Sequence, residues 1–264
     1  MKAIDAVFRR LRSGGEKGLV VYLTAGDPTT PASLRYLQAA ADAGADILEV
    51  GVPFSDPTAD GPTIEAASRR ALSAGMNVDG ALELVRKFRE THATPVVLFG
   101  YYNPFLRYGW SSLCRDARDS GADGFLVVDL PFEERGEVLP SIRKSGLDWI
   151  PLAAPTSGME RVRALDREGS GFLYLISVTG VTGARKALPP EMSAWTRKVA
   201  KATRLPVAVG FGISSPAMAR AASRHVEAAV VGSACVKIVE KNGRGARGPA
   251  ELSRFVHSLK TALR

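Results

Sequence analysis

Cysteine is scarce in this chain. Only Cys114 and Cys235 occur in 264 residues, too few and too far apart for a disulfide framework or a metal-type pairing, which points to a reducing cytoplasm. Histidine is as sparse: His92, His225 and His257 stand alone, so no histidine-rich metal centre is expected. No apolar run approaches the ~20 residues of a membrane-spanning helix. The opening MKAIDAVFRRLRSGGEKG alternates apolar and basic residues. It lacks the apolar block of a signal peptide and is expected to form an extra helix ahead of the first strand. No linker rich in Gly, Pro and Ser divides the chain, so residues 1–264 are expected to form one domain.

Hydrophobic residues make up 45% and charged residues 23% of the sequence, the balance of a globular protein rather than a disordered one. The 26 glycines and 16 prolines are spread along the chain, as required where many short loops join many elements. The net charge of +8 is uneven. The tail supplies Lys237, Lys241, Arg244, Arg247, Arg254, Lys260 and Arg264 against Glu240 and Glu251. A nucleic-acid patch is one reading. Solvated helix surface is favoured, because no aromatic interleaving or reading motif accompanies the charge.

Short β-branched runs alternate with helical stretches, the pattern of a parallel sheet with crossover helices. Eight runs fall at 19–24, 46–51, 96–101, 123–128, 148–153, 171–177, 206–210 and 227–232. Between them lie amphipathic segments such as 31–44, 79–90, 113–121 and 133–146. Several end at Gly44, Gly121 and Gly146, where a helix would close in a left-handed cap. The echo AGAD, SGAD, SGLD marks repeated helix-to-strand joins. Eight units predict an α/β fold, a single (β/α)8 barrel, with an open doubly wound sheet as the alternative.

In a barrel the functional face lies at the C-terminal ends of the strands. The unusual residues fall there: TAGDP after the first run, the Glu49 loop after the second, YYNP after the third, DLP after the fourth, PTS after the fifth. Three glycine-bearing loops follow the sixth, seventh and eighth runs. Glycine lets backbone N–H groups approach an anion, and a following helix adds its positive end. Each loop alone reads as a tight turn; the three together, at the strands where barrel phosphate sites sit, favour phosphate.

Glu49 ends an apolar strand, ADILEVG, and Asp60 lies on the turn-rich loop that follows. A carboxylate at the end of a buried strand is costly unless something requires it. Side-chain alternation puts Ile47 and Glu49 on one strand face, so Glu49 points into the barrel mouth if Ile47 fills the interior. A paired structural glutamate remains the alternative. By itself Asp60 reads as a turn residue, and Tyr174 as core or rim packing.

Taken together, YLTAGDP (22–28), LEVGVPFSDPTADGP (48–62), YYNPFLRYG (101–109), VVDLPFEE (127–134), APTS (154–157), SVTGVTGAR (177–185), VGFGIS (209–214) and VVGSACVK (230–237) closely resemble the tryptophan synthase α subunit family, in order and across essentially the whole chain. The resemblance implies a lyase that splits indole-3-glycerol phosphate into indole and glyceraldehyde 3-phosphate without a cofactor. It makes Glu49 the general acid/base, Asp60 the partner of the indole N–H, and Tyr174 the tyrosine supporting that pair. It assigns phosphate to Gly183, Gly212, Gly232 and Ser233, the indole pocket to Tyr22, Tyr101, Leu126 and Phe211, and loop or interface roles to Asp56, Asp129 and Thr182. It implies no metal. It also implies a β-subunit partner in an αββα assembly, with pyridoxal phosphate in that partner only, and neither a nucleic-acid nor a membrane partner.

The residue inventory agrees with acid–base chemistry. None of the eight runs carries the lysine that a Schiff-base aldolase needs. Thr58 stands at a usual leucine position, Glu65 at a usual glutamine, Tyr22 at a usual phenylalanine, and Val178-Thr179 where some members hold Arg-Ser. These departures bear on loop closure and pocket polarity. A non-catalytic regulatory subunit and a different phosphosugar barrel enzyme are the competing expectations. The first has no need of Glu49, Asp60 and Tyr174; the second has no use for paired acids beside an aromatic pocket.

Overall fold

The segment Gly18–Thr24 is buried along its whole length, as a strand is when helices cover one face of its sheet and other strands the other. Its alternating side chains serve two cores. Leu19, Val21 and Leu23 join the layer under the outer helices, whereas Val20 joins the interior cluster. In the computed structural model, which describes residues 1–176, 190–210 and 212–264, this strand is β1. It is followed by β2 (Ile47–Gly51), β3 (Val96–Gly100), β4 (Gly124–Val127), β5 (Asp148–Trp149), β6 (Leu152–Ala153), β7 (Leu173–Ile176), β8 (Val207–Gly210) and β9 (Ala228–Val231).

All pairings are parallel, in the order β5-β4-β3-β2-β1-β9-β8-β7-β6. The two ends of that order are neighbours in sequence, separated only by Ile150 and Pro151. Ile150 N–H donates to Phe125 O at 2.8 Å, and Tyr174 N–H donates to Pro151 O at 2.9 Å. The sheet therefore curls round and closes through these two residues. The run expected at 148–153 is one barrel stave divided at Pro151, which has no N–H for the ladder. The result is the (β/α)8 barrel rather than the open sheet. Of the sixth run, Ser177 lies outside the described residues.

The helices are α1 (Ala3–Gly14), α2 (Thr30–Asp42), α3 (Pro62–Ser73), α4 (Val78–Arg89), α5 (Tyr102–Tyr108), α6 (Trp110–Ser120), α7 (Leu139–Lys144), α8 (Met159–Glu168), α9 (Pro190–Ala202), α10 (Pro216–Ala222), α11 (Ser233–Asn242) and α12 (Arg247–Ala262). Gly44, Gly121 and Gly146 carry φ of +100°, +90° and +75°, the left-handed geometry read from sequence. The segment 133–146 is not one helix. A 3-10 turn at Phe132–Glu137 gives way to α7, because Pro140 fits only the first turn of a helix and would break an interior.

The extra N-terminal helix α1 closes the bottom of the barrel. Ile4, Phe8 and Leu11 recur at helical spacing and pack with Val20, Ile47, Val97, Leu126 and Phe172; the Phe8 and Phe172 rings lie 5.8 Å apart. Lys2 Nζ fixes the entry by donating to Asp148 Oδ1 at 2.7 Å and to Leu147 O at 2.9 Å. The basic tail needs one correction. Its other six cations are exposed, but Lys260 is buried, with Nζ 2.9 Å from Asp46 Oδ2 and 3.2 Å from Glu16 Oε2. It joins α12 to the strand entry and is not solvated surface.

Candidate active site

With α1 filling the bottom, space opens at the other end, where the strands finish. A cavity of about 640 Å3 lies there. Its lining includes Glu49, Asp60, Tyr22, Tyr174, Gly212, Gly232 and Ser233. A larger cavity, about 1120 Å3, lies beside α8 and shares Val128 and Leu152 with the first. It contains none of the buried acids or glycine loops of the barrel mouth.

Glu49 is placed by the period of β2. Ile47 fills the interior cluster, and Glu49, two residues on, projects above it between Tyr22 of β1 and Val97 of β3 in the ladder register. Its exposure is 0%, and among the described residues neither carboxyl oxygen has a hydrogen-bond partner. Burial without a compensating donor disfavours the carboxylate and pushes the Glu49 pKa up to about 8. Among the described residues Glu49 faces the cavity.

Asp60 sits on the loop that leads into α3 and is half-buried. Burial pushes its pKa up to about 6; the neighbouring Tyr101 phenol opposes the shift and the Glu65 carboxylate adds to it. Tyr174 rises from β7 on the same inward face as Phe172. Its phenol is held well above the usual tyrosine range by burial, then by the Glu49, Tyr22 and Asp60 charges. The three residues named as catalytic thus share one cavity and one electrostatic environment.

Two glycines give the tyrosines their seats. A Cβ at Gly51 would lie 2.1 Å from Tyr22 Oη, and one at Gly210 would lie 2.4 Å from Tyr174 Oη. Either contact is a clash, so both hydroxyls reach their places only over bare backbone. Across the cavity, Gly212 has φ +62°, and Gly232-Ser233 opens α11 with no side chain capping its first turn. Free amides, a hydroxyl and the positive end of a ten-residue helix can receive an anion there.

Tyr22 lines the cavity and meets Phe99 edge-on, ring centroids 5.1 Å apart. Leu126 is in the interior cluster beneath the cavity, and neither it nor Tyr101 lines the wall. Tyr101 instead receives the Ala59 N–H on its phenol oxygen at 3.1 Å. Asp129 Oδ1 accepts the Tyr102 N–H at 2.6 Å, tying the loops after β3 and β4. Asp56 is exposed and accepts from the adjacent Ser55 hydroxyl. Thr58 is exposed at the rim, and Glu65 lies in the first turn of α3. Val178, Thr179, Thr182, Gly183 and Phe211 lie outside the described residues.

Sequence reasoning missed several wall residues, among them Ile64, Phe99, Val128, Leu152 and Ile176. Phe99 had a signal, since it alternates with Val97 on the inward face of β3. Arg70 was also missed. From α3 it forks onto Asp27 (Nε–Oδ1 2.8 Å, Nη2–Oδ2 2.9 Å) in the loop after β1, and reaches Glu240 of α11 at 3.1 Å. Among the described residues no helix is long and apolar enough to cross a membrane.

A parallel barrel whose mouth joins a buried carboxyl, a second acid and glycine-bearing loops defines the class of barrel enzymes with their site at the strand ends. The family model for tryptophan synthase alpha chain matches residues 8–264. The chain belongs to that family, whose members are lyases cleaving indole-3-glycerol phosphate to indole and glyceraldehyde 3-phosphate. It is 46% identical to the tryptophan synthase alpha chain of Citrifermentans bemidjiense over 260 residues, 98% of this chain and 97% of that protein. The crystal structure of the Legionella pneumophila alpha chain superposes with TM-score 0.91 at 33% identity, covering 100% of this chain and 97% of that one. A chain of the Pyrococcus furiosus tryptophan synthase complex superposes with TM-score 0.85 at 37% identity, covering 92% and 98%.

Proposed function

We propose that this chain performs the retro-aldol cleavage with Glu49 as the proton-cycling group, Asp60 as its electrostatic partner and Tyr174 as the tyrosine supporting the pair. The observation that carries the reading is the Glu49 carboxyl: fully buried, without a hydrogen-bond partner among the described residues, and raised to about 8. It holds a proton at neutral pH and can give it to the indole C3. Asp60, mostly ionised above about 6, accepts the ring N–H and stabilises the positive charge that C3 protonation creates. Glu49, now a carboxylate, takes the proton of the glycerol hydroxyl on the carbon next to C3. The C–C bond breaks, the hydroxyl carbon becomes the aldehyde, and the bonding electrons return to the ring. Glu49 ends protonated, and the proton count closes.

The phosphate is held by the amides and hydroxyl of Gly212, Gly232 and Ser233, with Gly183 the fourth residue of that set. Tyr22, Tyr101, Leu126 and Phe211 serve the indole end, Tyr101 and Leu126 from behind the wall. The step needs no cofactor in this chain. Pyridoxal phosphate belongs to a β-subunit partner, which receives indole in an αββα assembly, and Asp56, Asp129 and Thr182 take the loop and interface roles. The 264 residues act as one barrel domain in the cytoplasm.

Glu49→Gln keeps the shape and removes the transferable proton. It should lower indole release by roughly 10²–10⁴-fold. Wild-type indole release by that variant would end the assignment.

A further inference from the structure

Tyr101 follows the last residue of β3 and is 3% exposed. Its neighbour across the ladder, the loop after β2, carries Asp60 and touches it twice. The Phe54 ring at the start of that loop lies 5.4 Å from the Tyr101 ring. At the far end the Ala59 N–H donates to the Tyr101 phenol oxygen at 3.1 Å. Ala59 is the residue before Asp60. With its oxygen engaged by an amide, the phenol has its own proton left for the Asp60 carboxylate, with which it interacts.

The intervening residues Ser55, Asp56, Thr58 and Ala59 are exposed, and among the described residues Ala59 is the only one of them hydrogen-bonded to a side chain of the barrel frame. From these contacts we infer that Tyr101 is a positioning residue: its ring and hydroxyl fix the Asp60 loop on the barrel frame, and its phenol proton faces the Asp60 carboxylate. The inference rests on the proposed role of Asp60.

Among the described residues the groups facing this pair are few. Asp60 is met by Tyr101, by Glu65 on α3, and by the Tyr22 and Tyr174 phenols from β1 and β7. Tyr101 is met by Asp60, the Ala59 amide and Asp129 after β4. None of these is a cation, so the phenol is the group among them that favours the carboxylate. A hydrogen bond to the charged form lowers a carboxyl pKa, and its loss raises it.

The test is the pH profile of kcat/KM for indole release by the full chain. Tyr101→Phe should lower kcat/KM about tenfold at neutral pH and move the acidic limb up by roughly one pH unit, while the basic limb stays. Replacing Tyr101 with 3-fluorotyrosine, nearly the same size and a more acidic phenol, should move the same limb down; this variant decides if Tyr101→Phe fails to fold. A variant that loses stability while its acidic limb stays in place overturns the inference, because a purely structural tyrosine would behave that way. Asp60→Asn separates the two readings. If it retains wild-type kcat/KM, the role of Asp60 fails first. If it is inactive while Tyr101→Phe has the wild-type profile, only the role of Tyr101 fails.

Discussion

Glu49 shows what one fully buried carboxyl costs. Its ordinary pKa is about 4.3, and in the folded chain burial lifts it to about 8. Between those values the folded state keeps a proton that the unfolded state has released, so folding stability falls as pH rises through that window. Below it the residue is neutral in both states, and above it the penalty is constant. Glu49→Gln does not titrate. It should therefore be more stable than the wild type, with a difference that grows from pH 5 to pH 8, levels off by pH 9, and is on the order of a few kcal/mol there. Urea unfolding at pH 5, 7 and 9 measures it; an equal difference at pH 5 and 9 would show that Glu49 is not held protonated.

At the scale of elements, the site depends on three segments that the chain separates widely. Arg70 joins them: α3 behind the Asp60 loop, the Asp27 turn after β1, and α11 behind Ser233. Asp27 is 3% exposed, and that guanidinium is its ion-pair partner. Removing one partner of a buried pair strands the other. Arg70→Ala should cost about 2–3 kcal/mol in urea unfolding, at or below the range for buried pairs because the Arg70 side chain is 30% exposed. Arg70→Lys should recover only part, since a lysine cannot fork onto both carboxylate oxygens. Full stability in both variants would show the three segments to be held by apolar packing alone. The division of one stave at Pro151 and of the 133–146 helix at Pro140 belong to this scale too. Both prolines are visible in the sequence, but which tolerated position each occupies depends on the neighbours that the barrel supplies.

For the whole molecule, the barrel separates stability from function end to end. Its lower mouth is filled by Ile4, Phe8 and Leu11 of α1, and its upper mouth holds the cavity lined by Glu49, Asp60 and Ser233. The loops after β2, β3 and β4 rise on one side of that mouth, where Asp56 and Asp129 sit. If that rim receives a β subunit, its addition should raise indole turnover roughly 5–150-fold, the span of ordinary allosteric coupling. An indole assay at fixed substrate with increasing β subunit tests this; a flat response would mark the chain as a stand-alone lyase.

The sequence by itself determined everything that rests on local periodicity. Short β-branched runs placed the strands, glycines placed the helix ends, and the alternation of Ile47 with Glu49 already pointed the carboxyl inward. The family motifs then named Asp60, Tyr174 and Ser233, which no periodicity distinguishes from turn, core and cap. Tertiary structure decided what depends on distance and desolvation between remote residues. It closed the sheet through Ile150-Pro151, buried Lys260 against Asp46, set Tyr101 against the Asp60 loop, and put two tyrosine hydroxyls over Gly51 and Gly210. It also left Glu49 without a hydrogen-bond partner among the described residues. A pattern along the chain fixes which way a side chain points, but the free energy of a charge depends on what surrounds it, and only folding brings those surroundings together.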